Sequence, residues 1–152
     1  MDAINEMDRG AGGQLTTAEL ALTFVLAGRA RVTLVSEKTG TRFTFRVSQP
    51  NGDGPHFVSL LRGDDNEGDF EFFGTIFEGR RFAHGRKARI TADAPSAKAF
   101  AWAWGHLAAG RMPPGCQVWH EGRCGHCGRA LTVPESIETG FGPVCMGRKA
   151  AA

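Results

Sequence analysis

All four cysteines of the chain, Cys116, Cys124, Cys127 and Cys145, fall in its last quarter. The last three lie in a glycine-rich stretch too short to fold around an apolar core of its own. Such a segment needs a cross-link, and the compartment decides which kind. Residues 1–13 are acidic and glycine-rich, without the basic start and apolar stretch of a signal peptide. The expected location is therefore the cytoplasm, where thiols stay reduced. A bound metal is expected rather than disulfides.

Cys124-Gly125-His126-Cys127-Gly128 is a C-x-x-C knuckle with a glycine after each cysteine. Such a turn brings two thiolates to one metal, and glycine tolerates the tight backbone. Seventeen residues separate Cys127 from Cys145. Within them Thr132-Val133-Pro134-Glu135 reads as the start of a short helix that Gly140 ends. Pro143 then allows a second helical start, with Cys145 near its N-terminus, where the helix dipole favours thiolate. The metal expected for this donor set is Zn2+ in a closed tetrahedral site, which needs a fourth ligand. No Cys or His follows Cys145. His120 is the first choice, because it stands just before the knuckle, at the end of a strand expected over 116–119. Cys116, further back on that strand, is second. His126, inside the knuckle, is third.

A catalytic zinc would need an open ligand position and a nearby acid or base. Glu121 and Glu135 are the near carboxylates, and neither stands in an H-x-E or H-E-x-x-H setting. There is no P-loop, no G-x-S-x-G and no dinucleotide fingerprint. The reading is a non-catalytic protein with no small-molecule substrate.

The upstream chain reads as α+β. With 152 residues it suits one domain plus a small appendage. Residues 1–14 look like a disordered tail. Thr16-Thr17-Ala18-Glu19 resembles a capping box that opens a helix over 17–26, with Leu20, Phe24 and Val25 facing a core and Gly28 as the stop. Residues 31–36 and 41–48 form a hairpin around Glu37-Lys38-Thr39-Gly40. In its second strand Phe43, Phe45 and Val47 alternate with Arg42, Thr44 and Arg46. Strands are expected at 57–62 and 69–77, and a fifth at 88–91. A second helix over 96–109 carries Phe100, Trp104 and Leu107 at helical spacing, and Gly110 ends it. Trp102 lies off that stripe and is expected to be covered by the metal module. The expected architecture is an antiparallel four- to five-stranded meander with two helices. It spans 15–112, followed by a zinc-binding module at 113–148 and a short tail at 149–152. No run of about 18 or more apolar residues suggests a membrane span.

The formal net charge is only +2, but its distribution is uneven. Asp64, Asp65, Glu67, Asp69 and Glu71 cluster, and Arg80, Arg81, Arg86, Lys87 and Arg89 follow. Together with Arg42 and Arg46 on the hairpin's polar side, these cations form the candidate nucleic-acid-binding set, for DNA or RNA. Arg123, Arg129, Arg148 and Lys149 extend it. Against this reading, the phenylalanines alternate inward like a core.

The run from Cys124 to Cys145 resembles a domain of unknown function found in bacteriophages and bacteria. Its pattern is C-x-x-C-G-R-x-L, then P-x-S, then G-x-G-P-x-C. Lys38-Thr-Gly-Thr-Arg-Phe-Thr and Ala94-Pro-Ser-Ala-Lys-Ala-Phe are similar to longer phage members. The resemblance implies zinc at Cys124, Cys127 and Cys145, and implies no activity. Two functions compete. One is a phage-type accessory protein that binds nucleic acid. The other is a protein-binding module directed at a host protein, with Trp102 and the acidic loop at 64–71 as its contacts.

Overall fold

The computed structural model describes residues 13–62 and 69–121. In chain order its elements are β1 (Gly13–Gln14), α1 (Ala18–Val25), β2 (Arg29–Ser36), β3 (Arg42–Ser48), β4 (His56–Leu61), β5 (Phe70–Phe77), β6 (Arg81–His84), α2 (Pro95–Ala108) and β7 (Cys116–His120). The strands make one seven-stranded sheet in the order β1-β7-β2-β3-β4-β5-β6, and every pairing is antiparallel. The fold is α+β, and β2 to β6 form a meander.

One end of the sheet differs from the sequence expectation. Gly13 and Gln14, read as part of a disordered tail, pair with His120 and Trp119. Residues 116–120, read as a strand of the metal module, belong to the main sheet and lie between β1 and β2. The chain returns after α2 to pair with β2, a long-range match that local periodicity does not reveal. No helix among the described residues is long and apolar enough to cross a membrane.

Helix α1 begins one residue later than the capping box suggests. Thr17 is the N-cap, and its Oγ1 accepts the Leu20 backbone N–H at 3.1 Å. Phe24 and Val25 are buried as expected. Ala21 is buried with them, whereas Leu20 lies at the edge of the core. In α2 the spacing of Phe100, Trp104 and Leu107 buries all three against the sheet. Phe100 is the hub, with ring centroids 5.0 Å from Phe45, 5.1 Å from Phe82 and 5.9 Å from Phe73. The Trp104 indole N–H donates to the Arg80 carbonyl at 2.8 Å, so the helix also holds the β5–β6 turn.

One irregularity decides what the sheet shows to solvent. Val58 pairs with Gly74 and Ser59 with Phe72, so Phe73 is an extra residue in β5. A bulge of this kind resets the side-chain alternation. Phe73 and Ile76 are fully buried in the core. Without the bulge, Phe70 and Phe72 would share the side of Gly74 and Ile76, because all four stand at even spacing. With it, they point to the opposite face. The bulge also needs a small neighbour. A methyl group at Gly74 would run into the Phe82 ring and come within 3.0 Å of the Ala83 carbonyl. Gly74→Ala should therefore destabilise the protein by roughly 1–3 kcal/mol, because the Phe82 ring must move out of its contact with Phe100. Thermal melting is the check, and a melting temperature unchanged from the natural chain would show that this packing is slack.

The sequence places a fifth strand at 88–91, but β6 lies at 81–84 instead. Ala88 and Ile90 alternate with Arg89 and Thr91, which favours the later segment on pattern alone. Phe82 wins because Gly74 leaves room for its ring between Phe73 and Phe100.

Candidate functional site

The two faces of the sheet differ in chemistry. The inner face carries Ala30, Val32, Phe45, Val47, Val58, Ile76 and Val118, all buried beneath the helices. The registers assign the outer positions. They are Arg29, Arg31, Thr33 and Val35 on β2, and Arg42, Thr44, Arg46 and Ser48 on β3. Phe57, Ser59 and Leu61 follow on β4, then Phe70, Phe72, Thr75 and Phe77 on β5, Arg81 and Ala83 on β6, and Gln117 and Trp119 on β7. None of these outward positions carries a carboxylate, whereas five carry arginine. The strand positions of this face are thus cationic, with one acid at its edge, where the Glu37 carboxylate accepts the Gln117 side-chain N–H at 3.3 Å.

Its aromatic rings are arranged around the arginines. The Arg46 guanidinium lies 4.7 Å from the centre of the Phe70 ring, and that of Arg31 lies 5.6 Å from it. Such stacking fixes the position of a guanidinium group. Phe57 and Phe72 meet edge to face at 6.1 Å. Phe72 is 42% exposed. Arg31, Arg46, Ser59 and Phe72 stand in one row across four strands, about 14 Å from end to end at the usual strand spacing. Beside the row, Thr33 and Thr44 share a hydrogen bond of 2.8 Å. Arg81 stacks on Phe77 at 4.6 Å, at the other end of β5.

The row runs into a shallow groove of about 560 Å³, lined by Glu71, Phe72, Gly85, Arg86, Lys87, Ala88 and Arg89. The loop that carries these cations is clamped. The Gly85 N–H donates to the Phe73 carbonyl at 2.8 Å, and His84 Nε2 donates to the Ile90 carbonyl at 2.8 Å. Ile90 is anchored in the core. Gly85 also lets the loop lie close to Phe72: a methyl there would stand 3.2 Å from the Phe72 ring. Glu71 is the acid of the groove, 3.5 Å from Arg62 and 4.0 Å from Arg89. Arg86, Lys87 and Arg89 are exposed on this fixed turn.

The structure thus divides the cations read from the sequence. Arg42 and Arg46 share the outer face with Arg81. Arg86, Lys87 and Arg89 flank it at the Phe72 end, while Arg80 lies in the turn at the far end. Arg29, Arg31, Phe57, Phe70 and Phe72 join the site, although the sequence reading does not single them out. The available signal was Phe70-Glu71-Phe72-Phe73, which puts aromatic residues at both parities of one strand. Among the described residues Trp102 is 46% exposed, and it meets His106 edge to face at 5.0 Å.

His120, the first choice for a fourth metal ligand, ends β7 on the core side. It is 2% exposed, and its ring lies 5.5 Å from that of Phe24. Cys116 begins the same strand, paired with Ser36. Four residues of strand put the two about 13 Å apart, beyond the reach of about 10 Å that a Cys and a His have to a shared zinc. Burial pushes the Cys116 thiol up from its ordinary pKa, with Glu37 adding to the effect and a hydrogen bond to Val35 opposing it. The separation disfavours Cys116 as a ligand beside His120. Among the described residues no group of three or more His, Cys, Asp or Glu could hold a metal. Cys124, Cys127, Cys145 and His126 lie outside the described residues, as do Glu135, Asp64, Asp65, Glu67, Arg123, Arg129, Arg148, Lys149 and the short helices expected after Thr132 and Pro143.

Residues 119–148 match the model of a family of unknown function, DUF6011. The matched segment contains His120, Cys124, Cys127 and Cys145. No match was found among curated proteins or among solved structures.

Proposed function

We propose that this protein is a non-catalytic accessory protein of the phage type that binds nucleic acid on the arginine-bearing face of its sheet and carries a structural zinc module. The observation that carries the first part is the set of five arginines on the outward strand positions of β2, β3 and β6, three of them lying against phenylalanine rings. Guanidinium groups bind phosphate oxygens through paired N–H donors, and displaced counterions supply much of the free energy. Zinc rests on the donor set: three cysteines, two of them at knuckle spacing, and a histidine fixed at the end of the strand that leads to them. Cys124, Cys127, Cys145 and His120 would hold it. Its chemistry there is structural, fixing the fold of a segment that has little core of its own.

Binding to purified oligonucleotides at several salt concentrations tests the nucleic-acid reading. The logarithm of the association constant should fall linearly with the logarithm of salt, by about 0.7 to 0.9 per phosphate contact. The triple variant R86A/K87A/R89A should flatten that slope by about two to three units, and R42A/R46A by about one to two. Arg42, Arg86, Lys87 and Arg89 are exposed, so their removal should change melting little, whereas Arg46 is half-buried against Phe70 and its loss should lower melting somewhat. Failure of the natural protein to bind any nucleic acid at low salt, where the attraction is least screened, would refute the reading.

A protein-binding module is the second reading, and one observation favours it. Trp102 borders a groove of about 300 Å³ formed with Leu34, Phe43, Ala99 and Pro114. An exposed tryptophan beside an apolar groove is a common anchor for a protein partner, here a host protein. This reading replaces the first if nucleic acid does not bind.

A further inference from the structure

We infer that the nucleic acid recognised by this face is single-stranded, with one base stacked on Phe72 and the adjoining phosphates held by Arg86, Lys87 and Arg89. This rests on the nucleic-acid reading above and adds the strand state and the contact that selects it.

The geometry separates the aromatic side chains by role. Phe70 is already covered, since the guanidinium groups of both Arg31 and Arg46 lie against its ring. It organises cations. Phe72 meets Phe57 edge to face, which steadies the ring and leaves part of its surface open. It is the most exposed phenylalanine among the described residues, and it also lines the groove that carries Arg86, Lys87 and Arg89. A base on Phe72 would therefore have its own phosphates beside a cluster of three cations. The clamped loop fixes the backbone that carries these cations before binding, so less is lost in ordering the loop.

A duplex does not suit this arrangement. Its base faces are stacked on one another, and opening a step costs a few kcal/mol. The five strands β2 to β6 span about 19 Å at the usual strand spacing, broader than a major groove of about 12 Å. Unpaired bases have free faces and can lie on a sheet, where stacking is tolerant of sequence. The ring and the guanidinium groups bind features common to DNA and RNA strands, and the experiment separates the two.

The test uses the full chain with oligo(dT), oligo(U) and a DNA duplex of the same length. One or both single strands should bind at least about tenfold more tightly than the duplex, and the tighter of the two names the sugar. Phe72→Ala should weaken single-strand binding by about 5- to 150-fold, the equivalent of about 1–3 kcal/mol per stacked base. It should leave the salt slope unchanged, because no phosphate contact is lost. Phe72→Trp should keep the affinity, and its added fluorescence, read as the difference from the natural chain, should be quenched by the bound strand. Glu71→Gln should tighten binding, since it removes the groove's negative charge and its pull on Arg89. A duplex bound as tightly as the single strands, or full affinity in a folded Phe72→Ala variant, would overturn the inference. In either case the nucleic-acid reading stands if R86A/K87A/R89A still flattens the salt slope. Absence of binding to all three at low salt would remove both.

Discussion

Stripping the metal should collapse the C-terminal module and leave most of the sheet standing. Purified protein is expected to hold about one zinc per chain, with Cys124, Cys127 and Cys145 as ligands. Structural zinc in small modules has an apparent binding free energy of roughly 10–16 kcal/mol, far more than a short glycine-rich segment can gain from packing. Cys145→Ser or a strong chelator should therefore abolish the order of that segment, seen as rapid proteolysis after residue 121 and loss of amide protection there. The sheet should keep its far-ultraviolet signal, because α2 and the rings around Phe100 do not depend on the metal. The fourth ligand needs a more careful substitution. His120 is buried against Phe24, so His120→Ala would open a cavity as well as remove a ligand. His120→Phe fills the space and cannot coordinate. It should lower zinc retention sharply with a smaller loss of melting temperature than His120→Ala, while Cys116→Ser and His126→Ala keep their metal. Protein that contains no metal by elemental analysis, or a disulfide among the three cysteines, would sink the assignment. Full zinc content in His120→Phe would move the fourth ligand elsewhere.

Phe45→Ala should cost about 3–5 kcal/mol, the range for truncating a fully buried ring. The ring is fully buried at the centre of β3, with centroids 5.0 Å from Phe100, 5.9 Å from Phe73 and 6.5 Å from Phe43. Its removal takes away a ring that packs on both Phe100 of α2 and Phe73 of the bulged strand, and rings held in place by their neighbours can only partly fill the space. A domain of this size is typically stable by about 5–15 kcal/mol, so the variant should unfold at a much lower denaturant concentration. Phe45→Leu should cost less, since it keeps most of the volume. Phe72→Ala on the opposite face should change stability little, which makes it the control that separates the core from the surface. Equal losses for Phe45→Ala and Phe72→Ala would contradict the assignment of Phe45 to the packed core and Phe72 to the surface.

Much of this architecture can be read from short stretches of sequence, because the information there is local. The alternation from Arg42 to Val47 places Phe45 and Val47 inside and Arg42 and Arg46 outside, and the sheet agrees. The spacing of Phe100, Trp104 and Leu107 defines the buried stripe of α2. Thr17 caps α1 within one residue of the expected position. In each case a period of two or of about 3.6 is set by the backbone itself, and the side chains along it report which side faces water. The cysteine spacing and its likeness to a family of unknown function are legible in the same way, as a matched segment at 119–148.

What only the tertiary structure decided were matters of pairing between distant segments. The pattern of residues 116–120 suggests a strand, but nothing local seats it beside β2, because its partners lie about 80 residues earlier in the chain. The choice of β6 at Arg81–His84 over the better-alternating 88–91 came from the space that Gly74 leaves for the Phe82 ring. The loop displaced from that strand then became the basic turn at 85–90. Most consequential is the extra residue at Phe73. Counting by twos puts Phe70 and Phe72 on the same side as Gly74 and Ile76, and a reading from sequence accordingly takes the phenylalanines as core. The register shift between Val58 and Ser59 sends Phe73 inward and leaves Phe70 and Phe72 on the arginine face. A bulge is a property of two strands in register, so one strand's sequence determines which residues alternate, and only the pairing decides which face they reach.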